Sequence, residues 1–141
     1  MALTPSNMLP LGTTAPDFTL LDTVSGKSLS LQQLKSDVAT VVMFICNHCP
    51  YVKHINQGLT ALANDYHAKK IQFIAINSND VEHYPDDSPA HMILTAKEFK
   101  YPFPYLFDET QEVARAYHAA CTPDFFVFDA NFSLVYRGQF D

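Results

Sequence analysis

The segment Val41-Val42-Met43-Phe44-Ile45-Cys46-Asn47-His48-Cys49-Pro50 constrains this chain more than any other. Val38 to Ile45 is nearly all apolar and partly β-branched, as a strand buried on both faces should be. From Pro50 to about Lys69, Val52, Ile55, Leu59, Leu62, Ala63 and Tyr66 recur at helical spacing. A buried strand therefore runs into an amphipathic helix, and two thiols two residues apart lie at the junction. Unpaired backbone N–H groups and the helix dipole favour an anion at such a place, so a thiol there ionises readily.

The remaining elements follow the same alternation. Ala15 to Leu21 reads as extended, Val24-Ser25-Gly26-Lys27 as a turn, and Ser28 to Leu31 as a returning strand. Ser30 is a candidate N-cap for a short helix through Leu34. Ile71 to Ile76 is a second buried strand, ended by Asn77-Ser78-Asn79-Asp80. Ser88-Pro89 starts a helix, with Ser as N-cap and Pro at the first helical position; Met92, Ile93, Ala96 and Phe99 form its apolar stripe. Tyr105 to Phe107 is a short extended piece. Asp108 is expected to cap the next helix, with Gln111 reaching back in capping-box fashion and the helix running to about His118. Phe125 to Phe128 and Leu134 to Arg137 form a closing hairpin about Asp129-Ala130-Asn131. Strand–helix alternation followed by a hairpin predicts an α/β domain with a central mixed sheet and helices on both faces. The 141 residues, 48% of them hydrophobic, suit a single domain over 1–141 with a sizeable core.

Charge and composition narrow the function. A net charge of −6 argues against non-specific binding to nucleic acid or to anionic membrane. The longest apolar runs are too short to span a bilayer. Met1 to Pro16 has neither a basic head nor an apolar h-region, so a cytoplasmic location is expected. Three cysteines are few for a disulfide-stapled secreted domain. In a reducing compartment, a pair spaced as Cys46 and Cys49 is more often redox-active or metal-binding than a staple. A structural zinc site needs four ligands, usually from two such pairs, and only Cys121 and scattered histidines remain. No metal or other cofactor is expected.

The thiolate, not the thiol, attacks disulfides. Cys46, at the junction, is the expected nucleophile, and Cys49, further along and more buried, the resolving thiol. His48 between them would stabilise the Cys46 thiolate by donating to it, which makes the disulfide more oxidising. The competing reading, two buried cysteines acting as small inert hydrophobes, fits the strand–helix junction less well. Cys121-Thr122-Pro123 lies directly before the Phe125 strand. Proline is tolerated there because it removes no ladder bond. The general rarity of cis X–Pro bonds favours trans on the residues alone.

Phe44 to His54 (FICNHCPYVKH) together with Thr122 to Asp129 (TPDFFVFD) resembles the thioredoxin-like superfamily. More narrowly, it is similar to the peroxiredoxin-like subgroup of the alkyl hydroperoxide reductase/thiol-specific antioxidant, or redoxin, family. The likeness begins at Ala15-Pro16-Asp17-Phe18 and continues through Asn77-Ser78-Asn79-Asp80 and Phe103-Pro104-Tyr105-Leu106 to Tyr136-Arg137-Gly138. It implies a thioredoxin-like fold with an N-terminal β-hairpin extension, a redox-active Cys46–Cys49 disulfide, and Pro123 as a cis-proline facing it. Thr122 would then offer its backbone to an extended substrate. Cys121 would lie near the same face.

Several positions depart from that pattern. Peroxiredoxins carry Pro-x-x-x-Thr-x-x-Cys. Counting back from Cys49 gives Cys46 and Val42; counting back from Cys46 gives Met43 and Ala39. Ile45 stands where thioredoxins have Trp, and Thr40 where they bury an acid. The C-terminal helix of the fold has no counterpart before Asp141, which leaves a face that a homodimer could cover. The leading expectation is a thiol–disulfide oxidoreductase or isomerase. Its partners would be protein or small-molecule disulfides and thiols, with an unidentified reductant. The alternatives are a thiol peroxidase with antioxidant activity and, from a different class, a copper-delivery module using Cys46, Cys49 and a histidine.

Overall fold

A computed structural model describes residues 10–45, 50–67, 69–78, 85–119 and 124–138. Its elements run β1 (Thr19–Asp22), β2 (Ser28–Ser30), α1 (Leu31–Leu34), β3 (Ala39–Phe44), α2 (Pro50–His67), β4 (Ile71–Asn77), α3 (Pro89–Phe99), β5 (Tyr105–Phe107), α4 (Glu112–Ala116), β6 (Asp124–Asp129) and β7 (Leu134–Gly138). The strands form one mixed sheet in the order β2-β1-β5-β4-β3-β6-β7. β3 pairs in parallel with β4 on one side and antiparallel with β6 on the other.

The period-2 geometry of β3 divides the interior in two. Val41, Met43 and Ile45 pack with Leu59 and Ala63 of α2, Met92 and Ala96 of α3, and Phe125. Val42 and Phe44 point the other way, to Leu31 of α1, Tyr117 after α4, and Phe126 and Phe128 of β6. Helices thus cover both faces. Val42, Met43, Ile74, Ala75 and Ile76 are fully enclosed, which explains why β3 and β4 read as largely apolar runs. β1 and β2 form the expected hairpin, pairing Thr19 with Ser30. Gly26, at φ +76°, makes its turn and donates to the Asp22 carbonyl.

The predicted caps are present in α1 and α3. Ser30 and Gln33 form a reciprocal capping box, and the Ser88 hydroxyl accepts from the His91 N–H with Pro89 opening the helix. The expectation for α4 is corrected. Gln111 occupies the N-cap at φ +65° and makes no side-chain cap; its amide donates to the Ser78 carbonyl instead. Asp108 caps from further upstream, accepting from Val113 and Ala114. The helix ends at Ala116, with Tyr117 as C-cap, rather than at His118.

Candidate functional site

β3, β4 and β5 run in the same direction, so Phe44, Asn77 and Phe107 end at one edge of the sheet. β6 runs against β3, and β7 against β6. The start of β6 at Asp124 and the end of β7 at Arg137-Gly138 therefore reach the same edge. Ligands of open α/β sheets bind at the carboxyl ends of the parallel strands, which makes this edge the candidate site.

Its floor is apolar. Ile45 is fully buried and donates its N–H to the Ile76 carbonyl at 2.9 Å. On the α1/α4 face, the Phe44 ring meets Phe126 edge-on at 5.8 Å and Tyr117 at 5.6 Å. The Tyr117 hydroxyl donates to the Pro16 carbonyl at 2.6 Å. Burial pushes the Tyr117 phenol well above its ordinary range, and the Asp17 carboxylate adds to the rise. Tyr117 is accordingly a neutral structural group.

Three polar links rim this floor. At the end of β4, the buried Asn77 amide donates to Asp87 at 3.1 Å. Next to it, the Ser78 hydroxyl donates to Asp108 at 2.7 Å, so the carboxylate that caps α4 also ties down the end of β4. At the start of β6, Asp124 forms an ion pair with Arg137 at 3.0 Å, and both side chains are about nine-tenths buried. The Arg137 guanidinium lies 5.0 Å over the Phe126 ring.

The residues singled out by sequence divide sharply from this frame. Cys46, His48 and Cys49 fall between Ile45 and Pro50, and Cys121, Thr122 and Pro123 directly before Asp124; all six lie outside the described residues. The described neighbours of the two segments are brought together, because Phe44 and Asp124 are register partners. Thr40, the position that holds an acid in thioredoxins, is buried in β3 and accepts from the Ser36 N–H. The Asp124–Arg137 pair was missed by sequence reasoning. Its signal was available: a single basic residue, Arg137, in a hairpin whose partner strand opens on Asp124, charges that rarely enter a core unless paired.

Among the described residues, no group of three or more His, Cys, Asp or Glu is placed to hold a metal ion. No helix among them is long and apolar enough to cross a membrane. A cleft of about 600 Å³ between β1 and α4 carries Asp17, Glu109 and Glu112. It shares Phe107 and Asp108 with the sheet edge described above, and β4 separates it from the β3–β6 junction.

Residues 11–137 match the model of the AhpC/TSA family. The chain belongs to the AhpC/TSA family. Membership places it among redox proteins. An uncharacterized conserved protein from Geobacillus kaustophilus is 60% identical, with a TM-score of 0.94 over 96% of this chain and 71% of that one. A hypothetical protein from Sinorhizobium meliloti 1021 is 44% identical, with a TM-score of 0.92 over 96% and 73%. The thioredoxin domain of a thiol-disulfide oxidoreductase from Bacteroides vulgatus superposes with a TM-score of 0.76 over 93% and 89%, at 19% identity. That last likeness establishes the thioredoxin-like fold. No curated protein matches the chain.

Proposed function

We propose that this AhpC/TSA-family protein is a thiol–disulfide oxidoreductase working through Cys46 and Cys49. The observation that carries the reading is the place of the CxxC in the chain. In sequence it links β3, whose last residues are buried, to α2, and the carboxyl ends of β3, β4 and β5 form the kind of edge where open α/β sheets bind ligands. The family match and the thioredoxin-like fold support a redox role, and the Bacteroides vulgatus neighbour is named as a thiol-disulfide oxidoreductase.

In the reducing direction, the Cys46 thiolate attacks one sulfur of a substrate disulfide. A Cys46–substrate disulfide forms, and the other substrate sulfur leaves as a thiolate that takes up a proton. Cys49, once deprotonated, attacks the Cys46 sulfur and releases the second substrate thiol. The Cys46–Cys49 dithiol is oxidised by two electrons and the substrate disulfide reduced by two; a dithiol reductant then returns the pair to its starting state. His48 stabilises the Cys46 thiolate. In this reading Thr122 and Pro123, with Cys121 before them in sequence, serve the substrate.

Insulin-disulfide reduction tests this. Cys46→Ser is expected to abolish turnover, and Cys49→Ser to accumulate a mixed disulfide visible as added mass. Full turnover by Cys46→Ser would remove the reading. The family match also favours a second one, peroxide reduction by a thiolate of the same pair. Peroxide consumption no faster than that of free cysteine in stopped flow would exclude it.

A further inference from the structure

Arg137 stands near the end of β7, yet its contacts lie on two other elements. The same nitrogen, Nη2, donates to the His118 carbonyl at 2.8 Å and to the Asp124 carboxylate at 3.0 Å. His118 follows α4 by two residues, and Asp124 opens β6. Cys121, Thr122 and Pro123 lie between them in sequence. One guanidinium therefore fastens the fold on both sides of the segment that the proposed function assigns to substrate.

The clamp has a rigid base. The Arg137 guanidinium rests over Phe126, which packs on Phe44 and Tyr117. Asp124 is in register with Phe44, two residues before Cys46. The anchor is thus referenced to the strand that leads into the nucleophile.

Stability alone does not account for the pair. A buried ion pair is commonly no better for stability than apolar residues of similar volume. Here the remaining nitrogen, Nη1, is buried with no acceptor among the described residues. Local rules broken in this way concentrate where function requires them.

We propose that Arg137 is a positioning residue for protein substrates: through His118 and Asp124 it fixes the two described flanks of the Cys121-Thr122-Pro123 stretch against β3, the strand that precedes Cys46 in sequence. This rests on the oxidoreductase reading. An extended polypeptide needs that segment's backbone in place to dock, whereas a small disulfide needs only access to the Cys46 thiolate. The clamp therefore acts on the preference for polypeptide over small disulfides, leaving the intrinsic potential of the thiol pair alone.

The test compares insulin with hydroxyethyl disulfide as substrates. Asp124→Asn/Arg137→Met removes both charges at nearly constant volume, so neither group is left as a lone buried ion. It is expected to lower the ratio of the two kcat/KM values, insulin over hydroxyethyl disulfide, by roughly ten- to a hundredfold, the range produced by small misplacements of a bound substrate. The equilibrium of the Cys46–Cys49 pair in glutathione buffer stays as in the wild type. Arg137→Lys keeps the charge opposite Asp124 on a shorter side chain and is expected to give an intermediate ratio. A wild-type ratio in the double variant, or in Arg137→Lys should the double variant not fold, overturns the proposal. So does a parallel fall on both substrates, or a shifted glutathione equilibrium. Failure of the oxidoreductase reading shows itself separately, as insulin reduction that survives Cys46→Ser.

Discussion

Tyr117 meets Phe18, Phe44, Phe126 and Phe128 with its ring and Pro16 with its hydroxyl. It joins the N-terminal segment to the sheet through a group that must stay protonated. Loss of the hydroxyl in Tyr117→Phe keeps the ring contacts and is expected to lower stability by about 1 kcal/mol at neutral pH. The alkaline limb is more telling. The folded phenol titrates above the unfolded one, so its contribution is complete below about pH 10 and is lost as pH rises past that point. Each pH unit there removes about 1.4 kcal/mol until the folded phenol itself ionises. Urea midpoints measured between pH 9 and 11 (about one unit either side of the unfolded phenol) should fall less steeply in Tyr117→Phe than in the wild type. Equal slopes would show that the hydroxyl is not the group concerned. At this scale the sequence was least readable. A tyrosine or an Asp–Arg pair acquires its role from partners far along the chain, and Tyr117 and Pro16 are 101 positions apart.

Elements were more legible where their signals were local. Ser88-Pro89 and Ser30-x-x-Gln33 place their helices because each motif satisfies its own backbone donors within one turn. Ser88→Ala should therefore destabilise the domain by about 1 kcal/mol, measured by chemical denaturation, with the loss centred on α3 in hydrogen exchange. The start of α4 was misread for the opposite reason. Asp108-x-x-Gln111 has the spacing of a capping box, yet the Gln111 amide is drawn to Ser78 and the Asp108 carboxylate is shared between Ser78 and two helix N–H groups. Long-range bonds there overrode a local preference. The alternation of strands and helices survived, because the buried face of each element is fixed by its own apolar period. The junction of β3 with α2 was legible from periodicity, while the two thiols between them lie outside the described residues. The clamp beside it was not, because nothing local ties Arg137 to His118.

At the scale of the molecule, the two apolar clusters share one sheet and are expected to fail together. Ile74→Ala, at a fully enclosed position in β4, should cost roughly 2–5 kcal/mol. Urea unfolding followed by far-ultraviolet circular dichroism and by tyrosine fluorescence should shift by the same amount in both signals. Separate transitions would mean that the two faces are independent units. The sheet order has a further consequence for biosynthesis. Phe44 and its antiparallel partner Asp124 are 80 positions apart, and β3 lies between β4 and β6. On a translating ribosome at about 5–20 residues per second, β3 is made roughly 4–16 s before the strand that closes its second flank. Through that interval a largely apolar strand has an open edge. The nascent chain therefore presents a binding site for holdase chaperones during synthesis, and the same two thiols meet cellular oxidants before any folded structure can govern their reactivity.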